Sequence, residues 1–517
     1  MSEEIEIAGI TVPKADWEST SPSIQGLVEV LVERLNDQSD QLSQLHERLS
    51  QLEERLNQTS RNSSKPPSTD GLGQAVKANK KTNKSRKGRQ SGNPPRQVRQ
   101  LKPSEECDRI YEVKPTVCQE CGARLSGEDN HAHRHQELEL PPIKPVVIEY
   151  RLHQLRCETC GEATRAALPP GVSASGYGAR LSAIVGLLSG PYRQSYRQVC
   201  ELMEVVFGVR LSRGSVGRLR DELSAALAAP VSEAKVYVQS QPRLHSDETS
   251  FPQGNRDGQN PLNTQGWLWV LVTPLVSFFE VVLSRSQETA KALIGESYQG
   301  IVVSDRYSAY TWIDLAQWQT CWAHLKRDFT AMAERSGASA EIGEALLRRQ
   351  SRLFRWWHRV RDGTLSREQF IAQVSYLRRG FKTVLEEAAS LPIDPDEKTP
   401  LAKTVGTCRR LLKVEPALWT FVDTSGVEPT NNAAERALRP AVIWRRTSFG
   451  SQSQGGSEFV TRMLTVTTSL KAQGRQILDF LTQVFLAARK GEGVPSLLPQ
   501  PEVAESTSPI DRILPAA

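Results

Sequence analysis

"RLHSDETSF" (residues 243–251) and "GIVVSDRYSAY" (residues 300–310) decide the fold. In the second, a short apolar run leads straight into Ser-Asp; in the first, the apolar run lies upstream, in "EAKVYVQSQP", and Ser-Asp follows "RLH". Asp247 and Asp305 are thereby expected at the ends of strands. Between them "GWLWVLVTPLVSFFEVVLSR" reads as two strands joined at Thr273-Pro274, and "SQETAKALIG" reads as a helix. After them "QWQTCWAHLKRDF" gives another strand leading into a helix. The order strand, strand, strand, helix, strand, helix is α/β. A carboxylate at the end of a buried strand costs desolvation unless something cationic meets it. Two such strands side by side place Asp247 and Asp305 on one divalent metal, and hard oxygen ligands suit magnesium.

Working outward toward the N-terminus, Ile24, Val28, Leu31, Leu35, Gln38, Leu42, Leu45, Leu49, Leu52 and Leu56 alternate spacings of four and three. This is an a/d seam held over more than four heptads, with Gln38 as its one polar member. It predicts a coiled coil within residues 1–60 that joins protomers, most simply as a homodimer. The alternative is an amphipathic helix packed on its own chain. Residues 61–104 follow as a disordered linker whose stretch "VKANKKTNKSRKGRQSGNPPRQVRQLK" holds no acid. Lys84, Arg86 and Lys87 lie in it and suit contact with a polyanion, against the plainer reading of a solubilising linker. Residues 105–170 carry two C-x-x-C-G knuckles, "CQECG" and "CETCG". Cys118, Cys121, Cys157 and Cys160 then close one structural tetrahedral zinc site per chain, a zinc ribbon with "KPVVIEYRLHQLRC" as a strand. His131, His133 and His135 are surplus to that shell. Cys107, Cys200, Cys321 and Cys408 have no ligand spacing and read as ordinary buried thiols. In residues 171–230 a periodic helix breaks at Gly208, and Ser212 caps a second helix bearing Arg213, Arg218 and Arg220. That is a helix-turn-helix pattern, shared by many plain helical hairpins. The 517-residue chain has a net charge of +6, 38% hydrophobic and 24% charged residues, and no apolar run of membrane length. No membrane span and a cytoplasmic, nucleoid-associated protein are expected.

These features together resemble the transposases of the insertion sequence 66 family. The shared motifs are the Leu-rich N-terminus ending in "NSSKPPS", the paired knuckles, "HSDET", "SDRYSAY", "CWAHLKRDF" and "NNAAERALRP". The resemblance implies a ribonuclease H-like fold over residues 231–485 and a DDE triad of Asp247, Asp305 and Glu435. It implies DNA cleavage and strand transfer at element ends, with two magnesium or manganese ions per active site. Residues about 331–420 read as a helical insertion. Its Arg and Trp residues either contact DNA or form an aromatic core with a solvated basic face. Residues 486–517 form a C-terminal tail without a motif.

The third carboxylate has rivals. If Asn432 caps its helix, Glu435 sits at N3 and the pair is a capping box without catalysis. Glu428 precedes Pro429 on the entering loop, and Glu458 follows the Gly/Ser-rich "GSQSQGGS". Glu435 alone sits on a rigid element, as a fixed ligand must. His324 and Lys326 are placed to touch phosphate or shuttle a proton, or His324 is a packed helix residue. Arg439, four residues after Glu435, binds a phosphate or pairs with the carboxylate. Two other functions use the same residues: a metal-dependent nuclease or resolvase without strand transfer, and a DNA-binding protein with an inactive catalytic domain.

Overall fold

The computed structural model describes residues 4–7, 10–56, 58, 62–63, 101–129, 131–394 and 396–499. Lys84, Arg86 and Lys87, with most of the basic linker and residues 500–517, lie outside the described residues. The chain opens with a hairpin, β1 (Glu4–Ile7) and β2 (Ile10–Pro13), and a short helix α1 (Lys14–Glu18). Then α2 (Pro22–Leu56) runs 35 residues without interruption. Its seam residues Ile24, Leu31, Leu35, Leu42, Leu45, Leu49 and Leu52 are 49–67% exposed. These seven described seam positions therefore do not pack on the rest of this chain.

Among the described residues of the knuckle region the strands are β3 (Gln154–Arg156) and β4 (Ala163–Arg165), an antiparallel pair, with an isolated antiparallel bridge between Val117 and Arg124. The strand expected over residues 144–157 shrinks to three residues, because Val146, Val147 and Ile148 have no core to face and stand exposed. Four helices follow: α3 (Ala179–Ser189), α4 (Tyr196–Phe207), α5 (Arg213–Ala226) and α6 (Ala228–Ser240).

The central sheet contains β5 (Arg243–Ser250), β6 (Trp267–Val272), β7 (Ser277–Val282), β8 (Ile301–Ser304) and β9 (Trp318–Thr320), in the order β7-β6-β5-β8-β9. The first three strands pair antiparallel, while β8 and β9 join parallel. Helix α7 (Gln287–Ile294), capped by Ser286, makes the crossover from β7 to β8. β6 is buried at five of six positions, so its run "WLWVLV" shows no alternation. Neither sheet edge is left open. On the β7 side the backbone N–H groups of Phe279 and Ser277 donate to Thr465 Oγ1 and Ser469 Oγ, each at 3.0 Å. Both hydroxyls belong to α14 (Gln454–Ala472). On the β9 side the Thr420 hydroxyl donates to Trp318 O at 2.6 Å.

After β9 come α8 (Trp322–Ala333) and the helical insertion: α9 (Ala338–Arg361), α10 (Arg367–Ala389), α11 (Pro400–Lys413) and the short α12 (Thr420–Asp423). The insertion has its own aromatic core, in which Trp357 meets Phe370 and Phe421 at centroid distances of 5.7 and 5.3 Å. α13 (Asn432–Ser448), α14 and α15 (Ile477–Lys490) complete the fold. Ala183, Leu187 and Leu223 of α3 and α5 share one apolar cluster with the sheet and with Phe485 of α15. Leu497 is buried in that cluster, so the chain beyond residue 485 begins as part of the fold rather than as a free tail. No helix among the described residues is long and apolar enough to cross a membrane.

Candidate active site

β5 presents two different faces. Leu244, Ser246 and Glu248 are buried on one, while His245, Asp247 and Thr249 are partly exposed on the other. β5 pairs with β8 in parallel, His245 opposite Val303. Two residues further along, where β8 has ended, the register carries Asp247 towards Asp305, whose charge acts on it. Asp247 lies inside its strand, not at the end as expected; the cleft opens because β8 stops at Ser304. Asp247 Oδ1 accepts the Glu248 N–H, and Asp305 Oδ1 accepts the Tyr307 N–H, both at 2.9 Å. Burial first, then the charges of Glu248 and Asp305 and more weakly Glu435, push the Asp247 carboxyl well above its ordinary pKa.

Glu435 reaches this place from the first turn of α13. The residue flanking that helix is Asn431, not Asn432, and it makes no side-chain cap bond. The capping-box reading of Glu435 therefore fails. Asn431 is 0% exposed and its side chain is committed elsewhere. Its amide donates to Ser246 O at 2.8 Å, and its Oδ1 lies 3.1 Å from His245 Nδ1. Its backbone N–H donates to Cys321 Sγ at 3.1 Å. At the far end of α13, Arg445 donates to the Ser250 carbonyl and to Thr249 Oγ1. The helix is thus fastened at both ends to β5, which fixes Glu435 over the Asp247 face.

Glu435 Oε1 stands 3.7 Å from both His324 Nδ1 and an Arg327 guanidinium nitrogen. Neither contact is a hydrogen bond, and Glu435 Oε1 and His324 Nδ1 are both buried without a hydrogen-bond partner. Leaving two such atoms unpaired is costly unless a ligand completes them. Burial, aided by the Arg327 charge, lowers the His324 pKa against the pull of Asp305, Glu435 and Asp328. The imidazole is accordingly neutral at neutral pH. Lys326 and Arg439 are exposed, and Glu435 pairs toward Arg327 rather than Arg439. Of the rival carboxylates, Glu428 is exposed on a loop, whereas Glu458 lies on α14 and pairs with Arg462 at 3.0 Å. The Gly/Ser-rich stretch before it is not loose, since Ser453 caps α14 and the two glycines fall in its first turn.

Three further groups support the site. Glu248 is 7% exposed and points away from Asp247, into the opposite layer. Arg285 donates to it through Nε at 2.9 Å and a terminal nitrogen at 2.7 Å, and the Tyr310 hydroxyl donates at 2.6 Å. The Arg285 guanidinium lies 3.6 Å from the Tyr307 ring centroid. Besides these three lies Cys321, read from sequence as an ordinary thiol. It is buried, but its sulfur lies within 4.8 Å of the His324 and Glu435 ligand atoms. The Asp-Glu dipeptide in a strand was the available signal for Glu248, because alternation sends its second member to the other face.

Residues 186–459, just over half of the 517, match the family model described as Transposase IS66 family. The chain belongs to the IS66 family of transposases. Residues 115–161 match the zinc-finger binding domain of transposase IS66, and residues 19–99 match a family of unknown function, DUF6444. Two similar chains come from Sinorhizobium fredii (strain NBRC 101917 / NGR234). The uncharacterized protein y4hP is 26% identical over 412 residues, covering 71% of this chain and 69% of its own. The uncharacterized protein y4qI is 26% identical over 419 residues, covering 74% and 73%.

The zinc-finger domain of this IS66 chain contains two matching turns. Cys118 N–H donates to Ala123 O and Gly122 N–H to Cys118 O, at 2.8 and 3.0 Å; Cys157, Glu162 and Gly161 repeat the pattern at 2.8 and 2.9 Å. Gly122 and Gly161 have φ of 73° and 72°, which a side chain would resist. Backbone N–H groups of Cys160 and Thr159 lower the Cys157 pKa to about 7, and Cys118 is lowered in the same way by Cys121 and Glu120. Both shifts favour the thiolate that binds metal. The four sulfurs do not gather within 4.8 Å of one another. His131, His133 and His135 are exposed. In the helical segment, Gly208 ends α4 in a left-handed conformation and Ser212 caps α5. Arg213 and Arg218 are exposed, while Arg220 turns inward onto Phe459 at 4.1 Å and Tyr196 Oη at 2.6 Å.

Proposed function

We propose that this IS66-family chain is an active DDE transposase that cleaves DNA at the ends of a mobile element and joins them to target DNA. The observation carrying this reading is the convergence of Asp247, Asp305 and Glu435 from two parallel strands and a clamped helix. The order β7-β6-β5-β8-β9, with its three antiparallel strands first, supports a ribonuclease H-like catalytic domain. All donors are carboxylate oxygens, Asp247 is repelled by its neighbours, and Glu435 Oε1 is buried and unpaired. That donor set fits magnesium or manganese. Asp247, Asp305 and Glu435 would hold two such ions, which activate the attacking oxygen and stabilise the leaving one.

The chain's own groups do the rest. Asn431 and Arg445 hold Glu435 in register with β5, and Glu248, Arg285 and Tyr310 hold β5 from behind. Neutral His324 takes the proton of the attacking hydroxyl or donates to the scissile phosphate. A water oxygen attacks phosphorus and the bond to the 3′ oxygen breaks, leaving a 3′-hydroxyl and a 5′-phosphate. That 3′ oxygen then attacks a target phosphorus, losing its proton and joining to it as the target's own P–O3′ bond breaks and frees a target 3′-hydroxyl. Lys326 and Arg439 contact phosphates. Cys118, Cys121, Cys157 and Cys160 hold one structural zinc. α4 and α5 act as a helix-turn-helix through Arg213 and Arg218, the basic linker with Lys84, Arg86 and Lys87 adds backbone affinity, and α2 pairs protomers in a nucleoid-associated dimer. Incubation with cut element ends, plasmid and magnesium tests the reading. Joined products abolished by Asp305→Asn support it. Cleavage without joining selects a nuclease or resolvase, and binding without cleavage selects an inactive DNA-binding protein.

A further inference from the structure

The exposed face of α9 changes sign along its length. Glu341 and Glu344 open it, and Arg348, Arg352, Arg355 and Arg359 follow at spacings of four, three and four, all exposed on one face. Several other arginines of the insertion are occupied. Arg378 grips Glu415 at 2.8 and 2.7 Å, and Arg367 donates to the carbonyls of Phe421, Val422 and Thr424. By contrast, Arg352 and Arg355 have no hydrogen-bond or ion-pair partner among the described residues. Arg348 makes only an exposed contact to Glu344 at 3.4 Å, and Arg359 makes one bond to Thr364 O at 3.1 Å. The helix dipole accounts for cations in the last turn alone. Arg348, Arg352 and Arg355 lie too far inside the helix for that.

The row also has a direction. Gly343 lies so close to the end of α8 that a Cβ there would stand 2.3 Å from Ala333 N. Towards its other end, the Phe354 ring meets Trp322, the first residue of α8, edge-on at 6.5 Å. α9 therefore runs back along α8, and its Arg355–Arg359 end lies beside the turn that carries Cys321 and His324. The row spans about 16 Å at the helical rise, or roughly five nucleotide steps of B-DNA. A groove of about 480 Å³ lies along it, lined by Leu347, Arg348, Ser351, Arg352 and Arg355 with Glu344 at its outer end.

We propose that this face of α9 is a binding site for the sugar-phosphate backbone of duplex DNA, guiding the strand that enters the carboxylate cleft. The placement at the cleft rests on the transposase reading above; the binding itself does not. Affinity of the full chain for a labelled 40-base-pair duplex of arbitrary sequence, titrated with salt and without divalent cations, tests it. Replacing Arg348, Arg352 and Arg355 together by Gln should lower the slope of log K against log salt by about 2 to 3 and weaken binding roughly tenfold or more at 150 mM salt. The same three positions as Lys should restore most of the slope. A photo-crosslinking residue at Ser351 should capture the duplex. An unchanged slope in the Gln variant, an equal loss in the Lys variant, or no crosslink at Ser351 would each overturn the proposal. Since no cleavage is read, failure of the catalytic reading leaves these results standing, and failure of this site leaves cleavage to be judged separately.

Discussion

Glu435→Gln separates a metal ligand from a helix-start residue. The variant should fold and bind DNA normally while losing cleavage and joining, measured on labelled duplex ends. Near-normal joining, with Glu458→Gln inactive instead, would reassign the third carboxylate. Asn431 acts at one remove, through the bonds that fasten α13 to β5. Asn431→Ala should cost about 10–100-fold in activity, the range for losing a partner that orients a ligand. Titration gives a second residue-scale test. The Asp247 pKa is raised in the folded state, so the folded chain holds a proton that the unfolded chain releases near its ordinary value. Without divalent ions, that group's contribution to stability is present at low pH and is lost as pH rises through the raised pKa. A bound cation favours the carboxylate and reverses the loss. The rise in melting temperature on adding magnesium should therefore be larger at pH 7.5 than at pH 5.5, and Asp247→Asn should remove most of the difference. An equal rise at both pH values in the native chain would place the cation elsewhere.

At the scale of elements, the helix pair α8–α9 depends on one missing side chain. At Gly343 a Cβ would meet Ala333 N at 2.3 Å and Met332 C at 2.8 Å, both backbone atoms that cannot swing aside. Gly343→Ala should cost about 1–3 kcal/mol, the range for overpacking, seen as a lower melting temperature. An unchanged melting curve would mean the two helices slide freely. The two cysteine turns behave differently. With metal removed, Cys118 and Cys157 should be alkylated first near pH 8, whereas Cys408, buried and pushed up to about 11, should react only on unfolding. Zinc should protect the knuckle thiols and leave Cys408 unchanged; protection of none would remove the metal from this domain. The strand before Asp305 was legible because its apolar run is short and bounded, and the knuckles because their spacing has few other uses; the apolar run read before Asp247, "KVYV", instead belongs to α6, and β5 itself is largely polar. What sequence left open is long-range. The sequence put the helix cap on Asn432, and nothing local tells that Asn431 instead bonds to β5, 185 residues away in the chain. Nor does any local pattern tell that Glu248 meets Arg285 and Tyr310, or that Cys321 lies against Glu435.

Across the whole molecule, the described elements divide into a packed body and an outlying helix. α3, α5 and α15 share their core with the sheet, so the segment bearing Arg213 and Arg218 moves as one piece with the carboxylate cleft. Arg489 of α15 strengthens this by bonding Glu222 of α5 at 2.7 Å and the Tyr177 carbonyl at 2.9 Å. Among the described residues α2 has no such attachment, and seven of its seam residues are 49–67% exposed. An apolar seam of that length is not stable facing water alone, and a second copy of the same seam is the partner its heptads fit. Two protomers would then bring two clefts together, one for each end of an element. Deleting residues 1–60 should reduce the mass by light scattering from about twice the 57.5 kDa chain to that of a single truncated chain. The truncated protein should keep its melting temperature and its single-duplex binding, because the sheet core and the arginines proposed to bind DNA lie beyond the deletion. It should still cut one end in the presence of magnesium, yet lose coordinated joining of two ends to one target. If the truncated chain keeps the full assembly, α2 is not what holds the protomers, and its exposed seam must serve some other contact.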